Sequence, residues 1–216
     1  MEHLITQYIR NILENNEWLN KNQHGFRPGY SCESQITSLI QDLSDEVDKG
    51  GRIDGVVIDF AKAFDVVPHE KLLMKLSRLP IDNRVVRWIN KFLENRTQKV
   101  RLGKEISELG NVTSGVPQGA VLAPLLFLIY INDINRNITS QIRLFADDCI
   151  IYRQINGESD IAALQNDLKV IETWTIENKM KINVSKSKAI SFCRTHKEIC
   201  LGYQLKWYIG ATSEHL

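Results

Sequence analysis

No stretch of these 216 residues is apolar for long enough to cross a bilayer. The longest apolar run, Ala120–Ile131, is twelve residues with Pro124 inside it, against the roughly 20 that a spanning helix needs, so it reads as a buried helix. Cysteine is scarce: Cys32, Cys149, Cys193 and Cys200 show no C-x-x-C spacing, which excludes a disulfide scaffold and points to reduced intracellular thiols. The first residues carry an early acid and no pure apolar block, so neither a signal nor a transit peptide is expected. Only five prolines and twelve glycines are present, without repeat or low-complexity tract, which excludes collagen-like and disordered chains. A dominant charge is missing too: 27 Lys and Arg face 26 Asp and Glu, so no global basic field announces a nucleic-acid partner.

Charge is nevertheless segregated. Residues 62–104 hold eleven basic and four acidic side chains, a local +7, whereas the first fifty hold four basic and eight acidic, a local −4. A stretch this basic suits phosphate contact, although a solvated helical face would look the same.

Apolar spacing predicts an amphipathic helix ending near Asn15–Asn16, a second over Ser34–Lys49, helices over His69–Leu79 and Asn83–Asn95, an apolar helix to about Asp133 and a long one from Ile161 to about Asn178. Ile53–Phe60 is β-branched and nearly all apolar at its end, the mark of a strand buried on both faces. Thr97–Leu102 alternates as a strand, and Lys188–Cys193 reads as a last one. Gln141–Ala146 and Cys149–Arg153 read as a tight hairpin whose turn is Asp147–Asp148. The fold class is therefore α+β, a mixed and largely antiparallel sheet backed by helices.

Three carboxylates carry the chemical signal. Asp59 follows Val-Val-Ile, where a charge must leave the apolar layer or be stabilised by a cation or donors; a strand-end Asp capping a turn is the simpler alternative. Asp147–Asp148 occupies a turn that would favour Asn-Gly or Asp-Gly, a choice costly in backbone and in charge repulsion. Mg²⁺ resolves both problems, since it takes one or two carboxylates and fills its shell with water and phosphate. If the Asp59 strand and the hairpin share a sheet, two metals roughly 3.5–4 Å apart could activate a 3′-oxygen and stabilise a leaving pyrophosphate. No zinc-type His/Cys set and no G-x-x-x-x-G-K-[ST] loop competes.

Asp59-Phe60-Ala61-Lys62-Ala63-Phe64-Asp65, Ser114-Gly115-Val116-Pro117-Gln118-Gly119 and Phe145-Ala146-Asp147-Asp148, in this order, resemble the three palm motifs of reverse transcriptases. The flanking NQHGFRPGYSC, PHEKLLMKL and LLFLIYINDI are similar to non-LTR retrotransposon enzymes of the jockey-like and chicken-repeat lineages. The resemblance, over residues 1–193, implies an RNA-directed DNA polymerase with RNA template, DNA primer and deoxynucleoside triphosphates as partners, no membrane, and two Mg²⁺ or Mn²⁺ ions as cofactors. It implies that Asp59 and Asp147 ligate the metals with the Phe60 carbonyl, Asp148 supporting them. It places Phe64 under the incoming sugar, where a ring excludes a 2′-hydroxyl, and Gln118 and Gly119 against the nucleotide. Lys186 falls near the leaving pyrophosphate. Arg27 falls near the template, and Arg87, Lys91, Arg96 and Lys99 lie where a nucleic-acid track could run. Each has a plainer alternative: core packing for Phe64, an ordinary turn for Ser114–Gly119, a surface lysine for Lys186, an internal carboxylate partner for Arg27.

The implied organisation is partial fingers over residues 1–52, a palm over 53–193 with fingers helices inserted, and a truncated tail over 194–216. An upstream Arg-Pro-Ile strand pair, the Tyr-Leu-Gly primer grip, a thumb and an endonuclease are expected in full-length relatives and are absent here, so the chain reads as a fragment. The resemblance implies an intracellular protein with cytoplasmic and nuclear phases, and no basic cluster serves convincingly as a nuclear signal. The missing elements also suit a catalytically inert remnant that at most binds nucleic acid through its basic middle, and an RNA-templated RNA polymerase shares the same carboxylates.

Overall fold

The computed structural model describes residues 1–194 and 202–204. Most of the expected tail, Cys200 included, lies outside them. The chain forms two compact units, one built from Met1–Leu19 and Lys62–Tyr130, the other from Asn20–Ala61 and Ile131 onward.

The second unit is organised by a four-stranded sheet in the order β6-β7-β1-β8, from β1 (Ile53–Ile58), β6 (Gln141–Phe145), β7 (Asp148–Gln154) and β8 (Lys188–Phe192). All three pairings are antiparallel. One parallel bridge, Gln23 to Leu144, flanks β6. β1 lies inside the sheet, and its near-continuous burial matches the apolar Val56-Val57-Ile58 run at its end. Helix α2 (Cys32–Val47) starts at Ser31, whose hydroxyl accepts from the Ser34 amide in a capping box. Helix α6 (Glu158–Glu177) buries Leu164, Leu168, Ile171 and Trp174.

Asp54, inside β1, is fully buried. Arg52 donates to both of its oxygens (2.8 and 2.5 Å), Ser191 adds a bond of 2.7 Å and Tyr203 another of 2.7 Å. Four donors satisfy a charge that apolar surroundings alone would expel. Together with burial, the bond to Asp54 raises the Tyr203 phenol well above its usual range.

In the first unit, α1 (Glu2–Asn15) buries Ile5, Ile9 and Leu13 at helical spacing. α3 (His69–Leu76) buries Leu72 and Leu76, and α4 (Asn83–Leu93) buries Ile89 and Leu93. The Asp82 carboxylate caps α4 by accepting from the Arg84 amide and guanidinium. Those bonds hold Asp82 down to about 2. Helix α5 (Ala123–Ile131) is buried almost round its whole circumference, as its uniform apolarity requires. Among the described residues no helix is long and apolar enough to cross a membrane.

Two local expectations are corrected. Thr97–Leu102 is not one strand but two pairs of residues, β2 (Thr97–Gln98) against β5 (Gly110–Asn111) and β3 (Arg101–Leu102) against β4 (Glu105–Ile106). All of these positions are exposed, so no buried face imposes a continuous register. Between the pairs the Val100 amide donates to the Ser107 hydroxyl. The hairpin turn is the second correction. Phe145 pairs with Asp148, so the two loop residues are Ala146 and Asp147, and Asp148 opens β7. Ala146 takes the positive φ (55°) that this loop demands, which lets Asp148 stay in the ladder.

Candidate active site

The first group of candidate residues gathers at one end of the four-stranded sheet. Ile58 and Cys149 are paired and buried. Carried one residue further, the same register sets Asp59 opposite Asp148, and directly opposed residues present their side chains to one face. Asp147 occupies the turn immediately before. Asp59 and Asp147 are partly buried and Asp148 is exposed.

Burial is the first cause that raises the Asp147 carboxyl above its usual range, and the charges of Asp148 and Asp59 raise it further against its own backbone hydrogen bond and Lys186. Asp148 is raised by burial, then by Asp59, against Lys186. Three carboxylates thus repel one another at a single rim, and Lys186 Nζ lies 3.9 Å from Asp59 Oδ2. The segment after α6 delivers that lysine. Its backbone docks along the strand end, with the Ala61 amide donating to the Lys181 carbonyl and the Asn183 amide to the Asp59 carbonyl, both at 2.8 Å. The Ser187 hydroxyl accepts from the Asp59 amide at 3.1 Å. Since the bridge between Phe60 and Ile182 is bonded through these flanking residues, the peptide groups of Phe60 itself turn away from Ile182. The Phe60 ring packs at 6.4 Å from Trp174.

Among the described residues no three His, Cys, Asp or Glu side chains form a group that could hold a metal ion by themselves. A site of two or three hard oxygens, completed by water and phosphate, is nevertheless what Mg²⁺ accepts. Asp59, Asp147 and Asp148 supply hard-oxygen donors and a negative charge that Lys186 offsets in part, so the residues fit such an ion.

Arg27 is in the same unit. Its guanidinium donates to the carbonyls of Asn20 (3.0 Å) and Gln23 (3.3 Å) and lies 4.6 Å from the Tyr30 ring centroid. Gln23, unremarked in the sequence, brackets Ala146 through its amide group. A glutamine two residues before a glycine in a Gly/Pro loop was the available signal.

A second group belongs to the other unit. Phe64 is half-buried and stacks on Phe127 with ring centroids 4.3 Å apart. The Ser114–Gln118 loop is tied to the segment after Ala63. Val116 and Gly115 amides donate to Phe64 and Val67 carbonyls, the Ser114 hydroxyl to the Asp65 carbonyl, and the Gln118 amide to the Asp65 carboxylate at 2.8 Å. Gly115 has φ 89°, and a Cβ there would stand 2.7 Å from the Asp65 carbonyl oxygen, so no side chain is tolerated. Gln118 and Gly119 are exposed. Asp65, in the motif but without an expected role, is the anchor that orients Gln118.

This loop and the β2–β5 ribbon enclose a polar cleft of about 630 Å³ that Lys62, Arg96 and Gln118 line. Arg87 and Lys91, four residues apart on α4, and Lys99, just after β2, are exposed.

The family described as Reverse transcriptase (RNA-dependent DNA polymerase) matches residues 1–205. A probable RNA-directed DNA polymerase from transposon X-element of Drosophila melanogaster is 30% identical over 198 residues, covering 88% of this chain and 22% of the relative. The RNA-directed DNA polymerase from mobile element jockey of the same organism is 27% identical over 203 residues, covering 89% and 22%. The chain therefore spans about a fifth of these relatives' length. Among solved structures, telomerase from Candida Tropicalis in complex with a fragment of telomeric RNA superposes with a TM-score of 0.63 at 12% identity, covering 88% of this chain and 33% of that one. The apo enzyme lacking its C-terminal domain gives 0.64, covering 91% and 41%. The α+β, palm-type fold and the match along nearly the whole sequence place this chain in the reverse transcriptase family.

Proposed function

We infer that the chain carries the catalytic palm of an RNA-directed DNA polymerase, extending a primer 3′-hydroxyl with deoxynucleotides on an RNA template. The observation that carries the reading is that Ile58 pairs with Cys149, so that Asp59 leaves β1 beside the Asp148 end of β7, with Asp147 in the adjoining turn. Two divalent cations bound to Asp59, Asp147 and the Phe60 carbonyl would offset the negative charge of an attacking 3′-oxygen and a departing pyrophosphate.

The chain's own residues do the rest. Asp59 and Asp147 supply fixed oxygens, and Asp148 adds negative charge beside them. Lys186, exposed, reaches toward the same rim to meet phosphate or to return a proton to the leaving group. Phe64, Gln118 and Gly119 contact the incoming nucleotide in this reading. Arg96 and Lys62 offer cations along a cleft with room for a nucleotide-sized anion. Arg27, Arg87, Lys91 and Lys99 contribute to holding template and primer. Residues 53–193 then form the palm and residues 1–52 the partial fingers.

Primer extension on an RNA template tests the reading. Wild type incorporates deoxynucleotides with Mg²⁺ or Mn²⁺, and Asp147→Ala reduces incorporation about 10²–10³-fold, the range for removing one preorganised electrostatic element. Equal incorporation by the two proteins rejects it. Salt-sensitive RNA binding without extension by wild type supports an inert nucleic-acid-binding remnant instead.

A further inference from the structure

We propose that Gln23 is a positioning residue for the carboxylates of the β6–β7 turn, a role that rests on the polymerase reading above. Its side chain is buried, 2% exposed, and is hydrogen-bonded on both sides of one residue. Gln23 Oε1 accepts from the Ala146 amide at 2.9 Å and from the Gly25 amide at 2.7 Å, and Nε2 donates to the Ala146 carbonyl at 3.0 Å. Both peptide planes that flank Ala146 are thereby held, and the second of them begins Asp147.

The turn needs such a clamp. Ala146 has φ 55°, a conformation that costs an L-residue with a Cβ about 1–2 kcal/mol and that a hairpin usually assigns to glycine. Without an external bond the two-residue loop could relax, and Asp147 would turn with it. The clamp itself cannot drift. Residues 22–24 run parallel to β6, with the Leu144 amide donating to the Asn22 carbonyl at 2.9 Å and the His24 amide to the Leu144 carbonyl at 3.0 Å. Gly25 follows without a side chain, because a Cβ would lie 2.2 Å from the Ala146 nitrogen.

The chemistry selects an amide. Glutamate has the same shape but only acceptors, so it would leave the Ala146 carbonyl facing an oxygen and add negative charge beside Asp147. Methionine fills the volume and abandons all three polar groups, which are buried and need partners. A neutral donor–acceptor is the group that fixes this turn without disturbing the charge balance of the rim.

The test compares Gln23→Met and Gln23→Glu in the 216-residue chain with Gln41→Met, an exposed glutamine of α2, as control. Three readouts are taken: Mn²⁺ affinity by electron paramagnetic resonance, amide hydrogen exchange at Ala146, Asp147 and Val56, and primer extension. In both Gln23 variants Mn²⁺ binding is expected to weaken about tenfold or more, as when a group supporting a metal ligand is removed. Exchange at Ala146 and Asp147 accelerates while Val56, in the sheet centre, keeps its protection. The turnover rate falls about 10²-fold, the scale of a 1 Å misplacement, with KM for deoxynucleotide within about twofold because positioning acts on the reacting geometry. Unchanged Mn²⁺ affinity and turn exchange in a folded Gln23 variant overturn the proposal, as does loss of Val56 protection in step with the turn in both variants, which would mark Gln23 as a stability residue only. If wild type extends no primer, the polymerase reading fails alone, and the Mn²⁺ and exchange comparisons still decide the role of Gln23.

Discussion

Lys186 Nζ stands 3.9 Å from Asp59 Oδ2, and one short segment sets both groups. The Asn183 amide bonds the Asp59 carbonyl, and the Ser187 hydroxyl receives the Asp59 amide. The lysine therefore arrives at the acidic rim because its backbone neighbours are stitched to the end of β1. At 68% exposure its side chain is weakly paired.

The acidic rim costs stability in the absence of a cation, and pH reveals it. Asp147 and Asp148 are raised in the folded protein, first by burial and then by neighbouring carboxylates. The native state consequently holds protons longer than the unfolded chain, so stability falls as pH rises through the window between the ordinary Asp value and the raised one, and stays lower above it. Asp147→Asn should raise Tm at pH 7 in metal-free buffer, and the gain should vanish below about pH 3, where both states are protonated. Lys186→Met should move both carboxylates further up in a carboxyl-carbon NMR titration, because Lys186 opposes their shift. A gain in Tm that is independent of pH would contradict this account.

Gly25 lies against the backbone of the β6–β7 turn. Gly25→Ala drives a Cβ into the Ala146 backbone, 2.2 Å from its nitrogen and 2.9 Å from its Cα, and backbone cannot swing aside. Destabilisation of about 1–3 kcal/mol or more is expected from overpacking of this kind, read as a lowered urea midpoint. A midpoint within error of wild type would show that residues 22–25 do not sit against β6 in solution.

The buried charge of Asp54 predicts an asymmetric pair of variants. Asp54→Ala leaves the Arg52 guanidinium and the Tyr203 and Ser191 hydroxyls without their common acceptor, and breaking a buried ion pair costs about 3–5 kcal/mol. Tyr203→Phe removes one donor of four and should cost about 1–2 kcal/mol. Denaturant unfolding of the two variants gives the comparison; equal costs would mean that Tyr203, rather than the Arg52 pair, supports Asp54.

Phe64→Val separates a deoxynucleotide polymerase from one that uses ribonucleotides. If the ring excludes a 2′-hydroxyl, discrimination against ribonucleotides should fall about tenfold or more, the order of magnitude for one steric contact in a pocket, measured as the ratio of kcat/KM for the two sugars. Part of the stacking on Phe127 is lost as well, so Tm should drop slightly. An unchanged sugar ratio in a folded variant would confine Phe64 to packing.

Local pattern made much of this legible. The apolar run before Asp59 marks a two-face-buried strand, the spacing of Leu164, Leu168 and Ile171 marks a helix, and Gln141–Arg153 marks a hairpin, because periodicity depends only on neighbours along the chain. The turn position was off by one residue. Propensity favours Asp in a turn over Ala at positive φ, and it was the Gln23 amide, 123 residues away in sequence, that decided otherwise. Likewise Thr97–Leu102 has a strand's alternation without a buried face to use it.

The amino-acid order by itself determined which residue types were available, in what sequence, and that three acidic positions follow or interrupt β-forming segments. Only the tertiary structure decided that the strand bearing Asp59 pairs with the one opened by Asp148, that Asp54 is neutralised inside the sheet by Arg52, and that Asp65 holds Gln118. The physical reason is range: backbone periodicity is a property of a few adjacent residues, whereas register, charge pairing and the bracing of a strained turn come from groups that the chain brings together only on folding.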